Sequence, residues 1–311
     1  MSKIVTIGTT LSGNKGAASM LISLIKNFRQ YDPLTEFVSL SYYPQSQEKR
    51  FNVYENLRIV PVTPKKLVFF LLPLSLIFFL FSWIAPVKKL CLRYRPLREI
   101  HEADLFVDIS GISFSDGRGL IIIFNILCVL IPLCMRKRII KYSQALGPFE
   151  TKMNRFFAKL LLPRVDTIIA RGDATKENLD ALGLEKTHTK ADGALSFPLS
   201  PSLISSRMRK LLETLAAKQK AKERLVVGIS PSSVVYKYCE RNGIDYAGIL
   251  RRLTKTLLNR EDILVVLFPY SARQGKEKMK NNDIPIVKMV ARGFSSSNRL
   301  AVIRNEYSAE D

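Results

Sequence analysis

Arg171, Ser143 and Gln144 are of the right types, and at the right places, to do chemistry. Arg171 closes the apolar run 165–170, and Ser143 and Gln144 follow a run expected to end as a strand at Tyr142 and to pass into the turn QALGPF at 144–149. In a parallel sheet covered by helices, ligands bind outside the carboxyl ends of the strands, and all three residues stand at such ends. A second group lies in TLSGNKG at 10–16, which joins a buried strand at 3–9 to an amphipathic helix at 17–28. A strand, a glycine-containing turn and a helix aim free backbone N–H groups at an anion. An unliganded tight turn is the other reading of that loop. Neither G-x-G-x-x-G nor G-K-[ST] occurs there, so the dinucleotide and Walker fingerprints are absent. A third loop, SGISFSDGRG at 110–119, follows the strand DLFVDI, and its glycines permit close approach of a ligand to backbone.

Composition narrows the partners. The chain has 311 residues, 48 Lys and Arg against 27 Asp and Glu, and a formal net charge of +21. Such an excess favours phosphorylated substrates, acidic lipid headgroups or nucleic acid, and no RNP, helix-turn-helix or zinc pattern supports nucleic acid. Cys91, Cys128, Cys134 and Cys239 show no C-x-x-C spacing and read as buried thiols in a reducing, cytosolic compartment. His101 and His188 are the only histidines, and no metal-ligand spacing exists, so no metal is expected. The amino terminus lacks the apolar core of a signal peptide.

The elements that must position these residues alternate strand and helix, which predicts an α/β fold with a parallel sheet. Strands are expected at 37–41, 57–62, 104–109 and 165–170, and helices around 156–161 and 174–182. Residues 67–87 form an uncharged run, long enough to span a bilayer. Basic residues flank it on both sides, Trp83 lies near one end, and Pro73 and Pro86 interrupt it. A single span would separate strands that belong to one sheet. The expectation is an interfacial or re-entrant hairpin in one leaflet, with its basic flanks on anionic headgroups; a pair of buried helices is the alternative. The run 120–135 reads as a core crossover helix. PLSPS at 198–202 reads as a linker and 203–222 as a basic helix. A second series follows, with strands at 225–230, 263–269 and 284–290 and a helix at 246–258. Ser230, Ser232 and Ser233, at a strand end, take phosphate or sugar oxygens or form an ordinary polar turn. From 291 the apolar periodicity is lost.

SQALGPF at 143–149, ARGDATKENLDALGL at 170–184 and KADGALSF at 190–197 resemble, in order and spacing, the signature of the polysaccharide pyruvyl transferase family. The resemblance implies two Rossmann-like domains in a glycosyltransferase-B-like arrangement: 1–197, carrying the apolar insertion 67–87; a linker and basic helix at 198–224; and a partial second domain at 225–311. It implies phosphoenolpyruvate as donor substrate, no other cofactor, and as acceptor a sugar of a cell-surface polysaccharide or of its lipid-linked precursor. Gly13, Asn14 and Gly16 match the family's glycine loop as anion contacts, with Ala17 where an acidic residue is usual. Gly111 and Asp116 are the nearest matches to a second loop, where Asp116 either takes a proton from a sugar hydroxyl or caps the loop. Arg171 is the cradle for carboxylate and phosphate, or else pairs with Asp173 or caps a helix. Ser143 and Gln144 hydrogen-bond donor or acceptor. The family's R-M-H-A motif has no counterpart, which reads as a truncated member lacking its proton donor, inactive as it stands, with an out-of-frame tail after about residue 290. Localisation is expected to be cytoplasmic, peripheral or monotopic at the inner face of the cell membrane. A sugar-nucleotide glycosyltransferase and a non-catalytic basic membrane-surface protein are the competing readings.

Overall fold

The computed structural model describes residues 2–42, 54, 56–184, 186–197, 204–220, 224–273, 282–294 and 297–309. The chain divides into two compact units, Met1–Leu11 with Gly16–Pro198, and Ser12–Lys15 with Leu199–Asp311. The linker expected at 198–202 lies outside the described residues.

The first unit opens with β1 (Lys3–Ile7), buried at every position. The short β2 (Gly13–Asn14) belongs to the second unit. Then come α1 (Lys15–Tyr31), β3 (Glu36–Ser41) and β4 (Leu57–Pro61). A helical excursion follows, made of α2 (Pro64–Phe81), α3 (Ala85–Cys91) and α4 (Arg95–Glu102). It returns to β5 (Leu105–Asp108) and the short β6 (Ile112–Ser113). The remainder is α5 (Ile121–Cys134), β7 (Ile139–Leu146), α6 (Lys152–Leu161), β8 (Thr167–Arg171), α7 (Asp173–Asp180) and β9 (Thr187–Lys190). The sheet runs β4-β3-β1-β5-β7-β8-β9, with β6 beside β7, and every pairing is parallel. Central strands of such a sheet are covered on both faces, which is why β1 is buried throughout and β3 at all but its first position, although β3 carries Ser39 and Ser41. One core joins Val5, Val38, Phe106 and Ile139 of the strands to Leu97, Leu127 and Leu161 of the helices.

Several expectations are corrected here. The strand expected to stop at Tyr142 continues to Leu146 through a bulge between Lys141 and Gln144, where Ser143 takes a φ of +51°. The bulge shifts the alternation by one residue, so that Lys141, Ser143, Gln144 and Leu146 are all buried. Helix α6 forms as expected, yet its buried positions are Asn154, Ala158 and Leu161, while Phe156 and Leu160 are exposed. Pro73 does not break α2; a π-turn at Leu67–Leu71 lets the helix continue to Phe81, and Pro86 lies in the first turn of α3. The alternative of two buried helices fails, because only Leu67, Leu71, Ser75 and Phe78 of α2 are buried.

The second unit contains α8 (Ser206–Lys220), β10 (Leu225–Ile229), α9 (Ser233–Arg241), α10 (Tyr246–Leu258), β11 (Ile263–Leu267), β12 (Ser271–Ala272), α11 (Ile284–Ala291) and β13 (Leu300–Val302). Its sheet is β10-β11-β13, all parallel, while β12 pairs antiparallel with β2. The strand expected at 284–290 is instead a helix. Pro285 sits in its first turn, where a missing N–H costs nothing, and Ile286, Val287 and Val290 bury into the core. The third strand comes from beyond residue 291: Leu300 pairs with Val265, so this segment is part of the fold rather than a degenerate tail. Ser232 caps α9, and the N–H of Ser233 donates to Asp283 Oδ1 at 2.7 Å, so this serine corner is committed to the fold.

Candidate active site

The carboxyl ends of β5 to β9 carry two layers of polar residues. One layer is buried. Lys141 projects from β7 toward Asp108 at the end of β5; Nζ lies 2.6 Å from Oδ2, and both side chains are wholly inaccessible. Lys141 Nζ also donates to Gln144 Oε1 (3.1 Å) and Ser113 Oγ (3.3 Å), and stands 5.2 Å from the centre of the Phe114 ring. Ser113 Oγ donates to Gln144 Oε1 at 2.5 Å, Gln144 Nε2 donates to the Asp108 carbonyl at 2.8 Å, and the Ser110 N–H donates to Asp108 Oδ1 at 2.9 Å. Burial pushes the Asp108 carboxyl up, but the Lys141 ammonium and the hydrogen bonds from Ser110 outweigh it, and the group is held below the ordinary carboxylate value. The network locks the loop after β5 to the bulge of β7.

The other layer is partly accessible through Arg171 and Asp192. Arg171, the last residue of β8, donates from Nη1 to Asp192 Oδ2 at 2.9 Å, with its side chain 29% exposed. Asp192 follows β9; its other oxygen accepts the Ala194 N–H at 2.9 Å, which fixes the carboxylate. Ser143 Oγ accepts the Gly193 N–H at 2.7 Å. A side chain at 193 would run into the Tyr142 ring, since a Cβ there would stand 2.7 Å from it, so only glycine lets this loop close onto β7. A Cβ at Gly111 would stand 4.0 Å from Arg171 Nη1, an ordinary contact distance, so the loop after β5 runs beside the guanidinium without crowding it. Asp192 is the one partner of the guanidinium among the described residues, so its remaining N–H groups are available to an oxyanion.

The predicted residues thus separate. Gly111, Ser143 and Arg171 come together on the carboxyl edge of one sheet, with Ser143 positioning the Asp192–Gly193 turn. Gln144 is fully buried, its amide oxygen and nitrogen both hydrogen-bonded within the protein, so the expected contact with donor or acceptor is not made. Arg171 pairs with Asp192, not with Asp173. Asp116 is a helix cap rather than a base: its carboxylate accepts the N–H groups of Glu150 (2.7 Å) and Thr151 (3.3 Å), the Thr151 hydroxyl and Asn154 Nδ2 (3.1 Å). Its partial burial raises its pKa, and these bonds outweigh that and hold it low, the wrong direction for a proton acceptor. Gly13 and Asn14 belong to the second unit as β2, opposite Ala272 and Ser271, and Gly16 lies in α1 of the first. The Gly13 N–H does face an anion, but a resident one: Glu306 Oε1 accepts it at 2.9 Å. His101 packs against Phe78 and His188 is exposed on β9, so neither joins the cluster. Lys141, Asp108, Ser113 and Asp192 were not singled out by sequence. A lysine and an aspartate inside otherwise apolar strands were the available signal.

A model of the polysaccharide pyruvyl transferase family matches residues 14–311. The chain belongs to this family. The match includes the residues after 290, which removes the out-of-frame reading of that segment. Membership makes this pyruvyl transferase family member a transferase, an enzyme of cell-surface polysaccharide modification. No curated protein matches the chain. Among solved structures it is similar to UDP-GlcNAc 2-epimerase from Methanocaldococcus jannaschii (11% identity, TM-score 0.56, covering 100% of this chain and 75% of that one). It is also similar to S. aureus MnaA, solved with UDP (13%, 0.54, 98% and 69%). Anabaena Alr3699/HepE, solved with UDP and glucose, gives 15% identity, a TM-score of 0.51 and coverage of 97% and 69%. At these identities the likeness establishes the fold class, α/β with Rossmann-like units of the glycosyltransferase-B kind.

Proposed function

We propose that the chain transfers a pyruvyl group from phosphoenolpyruvate to two hydroxyls of a sugar in a cell-surface polysaccharide or its lipid-linked precursor. One sugar oxygen forms a bond to C2 of the enol as the methylene carbon gains a proton. The C2–O bond to phosphate breaks, inorganic phosphate departs, and the second sugar oxygen adds to the resulting cation. Of the two hydroxyl protons, one replaces that taken up by the methylene carbon and one leaves with phosphate. The donor carries a carboxylate and a phosphate on three carbons, and a fixed guanidinium grips such oxyanions bidentately. The observation that carries the reading is Arg171: anchored through one nitrogen by Asp192, open on its other donors, and overlooked by Gly111. We place the enzyme in the cytoplasm, peripheral or monotopic at the inner face of the cell membrane, where an anionic surface and a lipid-linked acceptor are at hand. Four free, buried cysteines are compatible with a reducing compartment.

A sugar-nucleotide-dependent transferase is the second reading, favoured by the UDP in two of the structurally similar proteins. Calorimetric titration of the full chain with phosphoenolpyruvate and with UDP-sugars separates the two. The expected result is binding of phosphoenolpyruvate, weakened about 10- to 100-fold in Arg171→Ala, by the loss of a charged hydrogen-bonding pair. Arg171→Lys is expected to recover only part of it, because an ammonium lacks the fork. Binding of a UDP-sugar alone, or an Arg171→Ala protein with unchanged donor affinity, would overturn the assignment.

A further inference from the structure

We propose that α2 and α3 form a platform that docks the first unit onto the surface of a bilayer rich in anionic phospholipid. Helix α2 is uncharged from Leu67 to Phe81, but only Leu67, Leu71, Ser75 and Phe78 face the core. The outward side carries Phe69 (70% exposed), Phe70, Ile77, Leu80 and Phe81. Large contiguous apolar surface of this kind marks a binding face rather than ordinary solvent-exposed helix. By length and composition α2 could cross a membrane, yet the topology forbids it. β4 before the excursion and β5 after it are strands of one sheet, separated only by β3 and β1. Both ends therefore return to the same side, and the buried stripe fastens α2 along the unit. The helix lies on a surface; it does not pass through one.

Charge selects the surface. Lys65 and Lys66 stand at the start of α2. At the other end Ala85, Lys88, Lys89, Leu92, Arg93 and Arg98 line a shallow pocket of about 450 Å³. Among the described residues none of these four cations lies within 4.0 Å of a carboxylate. A basic pocket beside an apolar helix suits the phosphodiester of an anionic lipid while the helix meets the acyl boundary. Trp83, in the turn between the helices, is 80% exposed, and its Nε1 donates to the Leu80 carbonyl at 3.2 Å. Its polar group is thus already satisfied when the ring enters the interface. A second copy of the chain is the disfavoured occupant, because a two-fold contact sets the same patch against itself and would bring the basic rims together.

Trp83 is the only tryptophan, so its fluorescence reports on this place alone. The full chain is mixed with phosphatidylcholine vesicles with and without phosphatidylglycerol, and binding is followed by flotation and by Trp83 emission. The expected result is flotation and a blue shift with the anionic vesicles only. Each cation near a charged leaflet is worth roughly fivefold in partitioning. The variant K88Q/K89Q/R93Q/R98Q, which leaves the apolar residues in place, is therefore expected to lose about a hundredfold or more at unchanged circular dichroism. Leu80→Glu, at an exposed position, is expected to abolish the blue shift. Equal binding of both vesicle types, wild-type binding by the quadruple variant, or flotation with no change in Trp83 emission would overturn the proposal. So would a blue shift without vesicles that grows with protein concentration and vanishes in Leu80→Glu, which marks self-association. Donor turnover is not read, so the result is independent of the donor assignment.

Discussion

The residue that most of the candidate site rests on never meets solvent. Lys141 and Asp108 form a wholly buried ion pair whose remaining bonds go to Ser113, Gln144 and the Ser110 N–H. A buried pair is weak evidence for stability as such, because desolvating two ions offsets much of their attraction, but removing one partner strands the other. Lys141→Met is accordingly expected to cost about 3–5 kcal/mol in urea denaturation, whereas the double variant Asp108→Leu/Lys141→Met is expected to recover most of that loss. If the single and double variants are equally unstable, the pair does not organise the loops. The pH dependence has a definite sign. Asp108 is held below its ordinary value, so its contribution is complete above the unfolded carboxylate range and is lost as pH falls through the folded pKa. Wild type should therefore lose stability in acid more steeply than the double variant.

At the scale of elements, the bulge in β7 and the cap of α6 decide what was legible. The parallel sheet, the helices between its strands and the strand-end position of Arg171 follow from apolar runs and turn residues, all local signals. The bulge does not: KYSQAL reads as a strand that stops, because nothing local says that Ser143 takes a positive φ and that the strand resumes one residue out of phase. That shift buries Gln144, whose sequence position alone suggested a substrate contact. Likewise the strand expected at 284–290 lost to Pro285 and to a helical burial pattern that only the second core reveals. Asp116 was open between base and cap, and four donors choose the cap. Asp116→Ala is expected to lower stability by about 1 kcal/mol at pH 7, the size of a lost helix cap. The difference from wild type should shrink as pH falls through the lowered folded pKa of Asp116, since its contribution is present only while it is ionised. A donor-saturated turnover rate that falls a thousandfold in Asp116→Asn with unchanged melting would restore the catalytic reading.

At the scale of the whole molecule, the excess of 21 positive charges acts over distances that no single contact spans. Two effects on an anionic donor can be told apart by salt. The grip of Arg171 is short-ranged and partly shielded, while the summed field of the surface is screened once the Debye length drops from about 10 Å at 0.1 M salt toward about 3 Å at 1 M. A field of that kind raises the encounter rate of an anionic ligand by roughly 10- to 1000-fold. The apparent affinity for phosphoenolpyruvate is therefore expected to fall about tenfold between 0.05 and 0.5 M sodium chloride, with most of the change in the association rate measured by stopped flow. Arg171→Ala is expected to displace that line downward and leave its slope largely intact, because one charge in 21 is a small part of the field but the whole of the local grip. A slope that disappears in Arg171→Ala would assign the salt effect to the pocket alone. A wild-type affinity indifferent to salt would mean that the basic surface serves a partner other than the donor.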